Sequence, residues 1–235
     1  MKKQILYLFS ISILLSSCSV FQKNGKNFDD GYYTQTIDGK KQQVYIDVDD
    51  ETVRIHPVES KQGLAVVDSS RVLLLQQEVS STDPLPPLAF HKPSFDIDFL
   101  TIPLKFRPAQ AGVPMQLNTN LNGAAYFGYR RDQYTIKYSS TPLGRSERSI
   151  QHFGFSLGAF TGLGNTLISP TNTSNATEQE YDGVVWSKGL AGIFAVNKFT
   201  LGLALGYDHL LGSNRAVWIY QNKLWYGLAF GLNLN

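Results

Sequence analysis

The C-terminal half of the chain alternates between bulky apolar residues and small or polar ones over long stretches. In the segments 150–163, 198–211 and 222–235, Leu, Phe or Tyr occupy most of the alternate positions, and mainly small or polar residues stand between them. Period-two alternation predicts β-strands with one apolar face. These runs are longer than the usual strand of about 5 to 6 residues and match the roughly 9 to 11 residues that a tilted strand needs to cross a bilayer.

The small residues on the second face favour a membrane β-barrel over a soluble β-sandwich, which remains the alternative. In a membrane barrel the apolar face meets lipid, and small or polar side chains face the lumen. Such a sheet must close on itself, because open strand edges in hydrocarbon leave backbone groups without partners. Aromatic residues gather near strand ends, as interfacial girdles do: Tyr126, Phe127, Tyr129, Trp218, Tyr220, Trp225 and Tyr226.

The pattern predicts an all-β fold, an antiparallel membrane β-barrel of about eight strands. Bacterial single-chain barrels normally have an even strand number, so an eighth strand is expected from 64–79. Val196-Asn197-Lys198 is typical of a tight periplasmic turn. The longer connections 164–182 and 212–221 would then lie on the outer face of the membrane. The predicted strands are 95–107, 114–130, 132–141, 150–163, 184–196, 198–211 and 222–235.

The N-terminal part divides into three further segments. Residues 18–30 are mostly polar and aperiodic, which is typical of a tether. Residues 31–79 hold short alternating runs separated by turn residues, the pattern of a small β-meander. Residues 80–94 contain Pro84, Pro86 and Pro87 and predict a stiff linker before the barrel at 95–235.

The first residues have the layout of a secretory signal. Lys2 and Lys3 precede an apolar stretch from Ile5 to Leu15, and small residues follow. This stretch is too short to span the roughly 30 Å hydrocarbon core of a bilayer. We therefore expect 1–17 to be a signal peptide.

Cys18 is the single cysteine of the chain, so it has no internal disulfide partner. The tetrad Leu15-Ser16-Ser17-Cys18 resembles the lipobox of bacterial lipoproteins. The resemblance implies cleavage before Cys18 and its conversion to a diacylglyceryl cysteine that also carries palmitate. Because each buried CH₂ contributes about 0.8 kcal/mol, such a residue would hold the protein at a membrane. Cys18 is the predicted lipidation site.

Removal of Lys2 and Lys3 takes the basic count from 21 to 19, against 19 acidic residues, so the remaining chain is formally neutral. Nucleic acids require clustered cations, and a neutral chain argues against them as partners. The expected partners are membrane lipid and an envelope protein.

No residue pattern argues for an enzyme, a cofactor or a metal site. His56, His91, His152 and His209 do not stand at ligand spacing, and the acidic run 47–51 lacks the spacing of a calcium loop. Asp208 and His209 are strand neighbours that point to opposite faces. Candidate serines for a lipid-modifying enzyme are Ser156 and Ser187. The run 154–158 fits Gly-x-Ser-x-Gly, but it lies in an alternating strand instead of a strand-to-helix turn.

Five arginines near strand ends or turns are expected to contact either lipid headgroups or acids in the lumen: Arg107, Arg130, Arg131, Arg145 and Arg148.

The runs Phe95-Asp96-Ile97-Asp98-Phe99 and Trp225-Tyr226-Gly227-Leu228-Ala229-Phe230-Gly231 resemble the opening and closing strands of small outer-membrane proteins of Bacteroidota. The resemblance covers about 95–235 and implies an outer-membrane barrel without a common activity. We expect a lipid-anchored protein of the cell outer membrane, with its anchor facing the periplasm. Its expected role is structural or binding, as an accessory subunit of an envelope assembly. A narrow channel for small solutes, for which the small inner residues would leave room, and a lipid-modifying enzyme are the alternatives.

Overall fold

A computed structural model describes residues 29–37, 40–49, 52–61, 63–80, 86–197 and 199–233. In these ranges the fold is all-β and antiparallel, and no helix is long and apolar enough to cross a membrane. Short 3₁₀ turns occur at Thr171–Thr173 and Ser213–Ala216. The strands are β1 (Gly31–Ile37), β2 (Lys40–Asp49), β3 (Thr52–Lys61), β4 (Leu64–Val67), β5 (Leu73–Leu75), β6 (Glu78–Val79), β7 (Leu88–Arg107), β8 (Gln116–Asn118), β9 (Asn122–Ser140), β10 (Ser146–Ile168), β11 (Tyr181–Val196), β12 (Phe199–Leu210) and β13 (Leu224–Asn233).

Six of these strands form a closed ring. The order is β7, β9, β10, β11, β12 and β13, and β13 pairs with β7 to complete it, for example through Leu228 and Leu104. β11 and β12 meet at Asn197, and we call this end of the ring the turn end. The opposite end, with the connections 169–180 and 211–223, is the loop end. The strands predicted at 184–196, 198–211 and 222–235 are confirmed as β11, β12 and β13.

The ring has six strands where about eight were predicted. The strands predicted at 114–130 and 132–141 are one continuous strand, β9. The strand continues through Arg130, Arg131 and Asp132, and Arg130 and Asp132 pair with each other. The segment 64–79 supplies no ring strand, because β4 and β5 pair with β3 and β6 pairs with β10.

Three long strands join the ring to the N-terminal module, by which we mean β1 to β5. β7, β9 and β10 extend past the turn end, and β1 pairs with β7 at Thr34–His91 and Gln35–Phe90. β7 begins at Leu88, inside the segment 80–94 that was predicted as a linker. The module therefore packs directly on the ring strands through one apolar core: Tyr33, Val44, Ile46, Val53, Ile55, Leu75, Phe90, Tyr134 and Ile136.

Tyr33 anchors this core. Its ring packs edge-on against Tyr134 with centroids 5.8 Å apart, and its hydroxyl donates to the backbone oxygen of Asp29 at 2.8 Å. Burial raises the pKa of the Tyr33 phenol far above its usual range. Tyr33 is therefore a neutral hydrogen-bond donor at any physiological pH.

An irregularity at Pro103 changes which residues of β7 face the ring interior. Before it, Asp96, Asp98 and other even-numbered residues are buried; after it, Lys105 and Arg107 are buried instead. The register between β7 and β13 shifts at the same level. Proline lacks the N–H of the ladder and is tolerated at bulges, which carry one extra residue and reverse the alternation. The bulge thus turns two cations inward.

Candidate functional site

The outer face of the ring carries large apolar side chains on all six strands. Phe95 is 81% exposed, Leu157 58% and Leu203 56%. Further exposed apolar residues are Ile97, Phe99, Phe127, Tyr129, Phe153, Phe155, Leu163, Val184, Trp186, Leu190, Phe194, Leu201, Leu205, Leu224, Tyr226 and Phe230. Monomeric soluble proteins rarely expose contiguous apolar patches beyond a few hundred Å². We call this surface the apolar belt.

The centre of the ring is filled by side chains. Leu100, Ile102, Tyr126, Phe160 and Trp225 are all at most 3% exposed. The glycines opposite them make room for these large groups. A Cβ on Gly206, for example, would come within 2.5 Å of Trp225 and 3.0 Å of Phe160. The space that the small inner residues leave is therefore occupied by large side chains of neighbouring strands.

A buried charge network lies between this layer and the loop end. The Asp208 carboxylate accepts hydrogen bonds from Lys105 at 2.9 Å, Arg107 at 2.6 Å, Ser187 at 2.7 Å and Trp225 at 2.9 Å. Lys105 and Asp208 are at most 1% exposed. An isolated charge in such a place would cost several kcal/mol, so each member of the network depends on the others.

Aromatic rings complete the surroundings of the two cations. The Lys105 ammonium lies 4.5 Å from the centroid of Trp225. The Arg107 guanidinium lies 5.2 Å from the ring of Trp218 and 5.5 Å from that of Tyr220, both in the loop-end connection. Cation–π contacts of this kind gain strength when water is excluded. The connection 211–223 thus covers the network at the loop end.

A second buried network lies toward the turn end. Arg130 Nε donates to both carboxylate oxygens of Asp132 at 2.9 and 3.0 Å, and His152 Nε2 lies 2.6 Å from the same carboxylate. The His152 ring stacks on Tyr134 at 4.7 Å. Arg130 also lies 4.0 Å from the buried carboxylate of Asp96. This network sits where the ring passes into the N-terminal module.

The two candidate serines lie in different hydrogen-bond groups. Ser156 hydrogen-bonds Tyr126 at 2.8 Å. Ser187 belongs to the Asp208 network, where its hydroxyl accepts a hydrogen bond from Lys105 at 2.8 Å and donates one to Asp208 at 2.7 Å. His209 points away from Asp208 as predicted and lies 2.8 Å from Gln221. Within the described ranges, no group of three or more His, Cys, Asp or Glu side chains could hold a metal ion.

Two of the five arginines make one of the contacts expected from the sequence, the pairing with interior acids. Arg107 and Arg130 pair with lumen acids, whereas Arg131 is exposed on the outer face. Arg145 pairs with Glu78 at 3.0 Å, and Arg148 donates to the backbone oxygen of Leu75. Lys105, Asp96 and Asp98 were not identified as lumen residues. The inward position of Asp208 could have been predicted, because Asp208 follows Gly206 on the small-residue face of its strand.

Cys18 lies outside the described residues, as do the signal peptide and most of the tether. Neither the known family models, nor the curated proteins, nor the solved structures include one that matches this chain.

Proposed function

We propose that this protein is an outer-membrane β-barrel lipoprotein with a structural or binding role, whose ring spans the bilayer. The apolar belt carries the proposal. It lies on the outside of a ring that also buries two charge networks, whereas a soluble protein buries most of its large apolar residues and leaves its charges in water.

The height of the belt agrees with a bilayer. β10 and β11 pair without interruption from Phe153–Val196 at the turn end to Leu163–Trp186 near the loop end. At about 3.3 Å per residue and a tilt of about 40°, this stretch spans about 25 Å, the height of the apolar band in outer-membrane barrels. Trp186 donates to Thr161 at 2.8 Å, and Lys188 lies over its ring at 4.5 Å, which is typical of an interfacial level.

The filled interior favours a structural or binding role over a channel. The layer around Tyr126, Phe160 and Trp225 separates the two charge networks, and Trp218 covers Arg107 at the loop end. A solute would have to displace side chains that are almost fully buried.

In this proposal the lipid anchor and the N-terminal module lie on the same side of the membrane. Short turns of outer-membrane barrels face the periplasm. The N-terminal module lies at the turn end, so it would face the periplasm, where an acylated Cys18 and the tether 18–30 would hold it against the inner leaflet. An envelope protein partner would then bind the module.

Bilayer insertion can be tested with the three tryptophans. Trp186 is 40% exposed on the belt, whereas Trp218 and Trp225 are at most 2% exposed. In vesicles containing brominated phospholipid we expect strong quenching of Trp186 fluorescence, because bromine atoms in the acyl chains contact it directly. The measurement compares wild type with Trp186→Phe and Trp218→Phe. Only the Trp186→Phe variant should lose most of the quenching.

Equal quenching of the two variants, or a chain whose gel mobility does not change on heating, would contradict the membrane assignment. A closed membrane barrel stays compact in detergent until it is boiled, and a soluble lipoprotein would not show this shift.

The anchor has a separate test. In cells supplied with labelled palmitate, the full-length protein should incorporate label and Cys18→Ser should incorporate none, because serine offers no thiol for the diacylglyceryl group. Ser17→Ala is the matched control and should label normally. Equal labelling of Cys18→Ser and wild type would exclude acylation at Cys18.

A further inference from the structure

A groove with a cavity volume of 370 Å³ lies where the N-terminal module meets the ring. β1 pairs with β7 at only two positions, and the groove is next to this short pairing. Its lining residues come from β1, β2, β7 and β9: Thr34, Thr36, Lys41, His91, Lys92, Pro93, Tyr129, Arg131 and Asp132. This volume is within the range of small-ligand pockets.

The groove is basic. Lys41 and Arg131 contribute two cations on its outer face, and His91 and two threonine hydroxyls contribute further hydrogen-bonding groups. None of the ion pairs among the described residues involves Lys41 or Arg131. The two cations therefore line the groove without an acidic partner from the described chain.

The one acid in the lining is already neutralised. Asp132 is 6% exposed, and its carboxylate binds Arg130 and His152 in the turn-end network. It offers little negative charge to the groove. The Arg131 guanidinium lies over the exposed Tyr129 ring at 5.9 Å, so an aromatic face holds this cation on the outer side of the sheet. Lys92 points to the other side, where its ammonium lies over the buried Tyr33 ring at 5.2 Å.

The groove borders the apolar belt. Tyr129 lines it and also packs edge-on against Phe95 of the belt, with ring centroids 6.3 Å apart. Arg131 follows Tyr129 by two residues on the same face of β9, which is about 7 Å along the strand. An anion bound here would sit at the end of the belt, with exposed aromatic and aliphatic side chains extending away from it.

We propose that this groove binds the phosphate of an anionic phospholipid headgroup, with the acyl chains lying along Phe95, Ile97 and Phe127. The proposal rests on the bilayer placement proposed above. The lipid is preferred to a free anion because the cations adjoin an apolar surface long enough for acyl chains. Arginine and lysine near a membrane surface attract anionic lipids through the same pairing.

The test uses the full chain in nanodiscs made from phosphatidylcholine with a small fraction of phosphatidylglycerol. Native mass spectrometry after release counts the lipids that stay bound. We expect the wild type to retain phosphatidylglycerol preferentially. Lys41→Gln/Arg131→Gln should weaken this retention about thirtyfold, and Arg131→Gln alone about fivefold.

A matched control removes the same number of cations elsewhere. Lys137 and Lys223 are exposed and lie outside the groove. Lys137→Gln/Lys223→Gln should retain phosphatidylglycerol as well as the wild type does. Equal loss in both double variants would mean that net charge, not the groove, attracts the lipid, and would overturn the proposal. If the groove variant fails to fold, Arg131→Gln carries the same comparison against Lys137→Gln.

Two further measurements distinguish a failure of the headgroup site from a failure of the membrane placement. Quenching of Trp186 in the same nanodiscs reports insertion. Quenched Trp186 without preference for phosphatidylglycerol would overturn the headgroup site and leave the membrane placement intact, whereas unquenched Trp186 would overturn both. Inorganic phosphate in large excess should not displace the lipid; displacement, together with phosphate binding by the lipid-free protein, would assign the groove to a free anion instead.

Discussion

Asp208→Ala should lower the free energy of unfolding by about 3–5 kcal/mol, because it leaves two buried cations without their counter-charge. Lys105 and Arg107 both bind this carboxylate, and each is at most 4% exposed. The variant also removes the acceptor of Ser187 and of the Trp225 indole N–H. Urea titration of the protein in detergent micelles, followed by the heat-sensitive gel shift, measures the change.

Two variants test whether the unpaired buried cations cause the loss of stability. Asp182→Ala removes an exposed carboxylate from β11 and should change the unfolding free energy by no more than about 0.5 kcal/mol. Lys105→Met/Arg107→Leu/Asp208→Leu removes the whole network and should recover most of the loss, because apolar replacements of buried ion pairs are often neutral or stabilising. A cost for Asp208→Ala as small as that of Asp182→Ala would show that the network contributes little.

Gly189→Ala should cost about 3 kcal/mol, the upper end of the usual range for overpacking. Gly189 pairs with Gly206 across β11 and β12. A Cβ at Gly189 would collide with the backbone oxygen of Leu205 and approach Gly206 Cα to 2.6 Å. Backbone atoms of a paired strand cannot yield as a flexible side chain can, so the two strands must separate locally. The same urea titration measures the effect.

Gly192→Ala is the matched control on the same strand. A Cβ there meets Phe155 at 3.7 Å, which is an ordinary contact. Alanine also lowers the entropy of the unfolded chain, so we expect no loss and a gain of up to about 1 kcal/mol. Similar losses in Gly189→Ala and Gly192→Ala would mean that the close approach of β11 and β12 is not the limiting feature.

The strands with regular alternation were predictable, because the size and polarity of the residues at alternate positions determine which face each residue lies on. In β11, β12 and β13 each residue lies on a bulky or a small face, and the period of two follows from the backbone. The prediction divided β9 at Arg131, where three charged residues interrupt the apolar pattern. Only the structure shows the partner that accommodates such a charge in the strand: His152 of β10 lies 2.6 Å from the Asp132 carboxylate.

The candidate site was less predictable. Asp208 could be placed on the inner face from its neighbours, but Lys105 and Arg107 follow the bulge at Pro103, which reverses the alternation of β7. No local pattern gives that reversal, because it depends on the shifted pairing with β13. The basic groove likewise combines residues from four strands and corresponds to no motif in the chain.

The sequence by itself determined the all-β class, the alternating faces and the large apolar surface, since these depend on residue type and a fixed backbone period. The tertiary structure decided the number of ring strands, the filling of the interior and the pairing of its charges. These depend on which residues of distant strands lie opposite one another. The small residues show the difference: the sequence gives their positions, and only the packing shows that Trp225, Phe160 and Tyr126 occupy the space they leave.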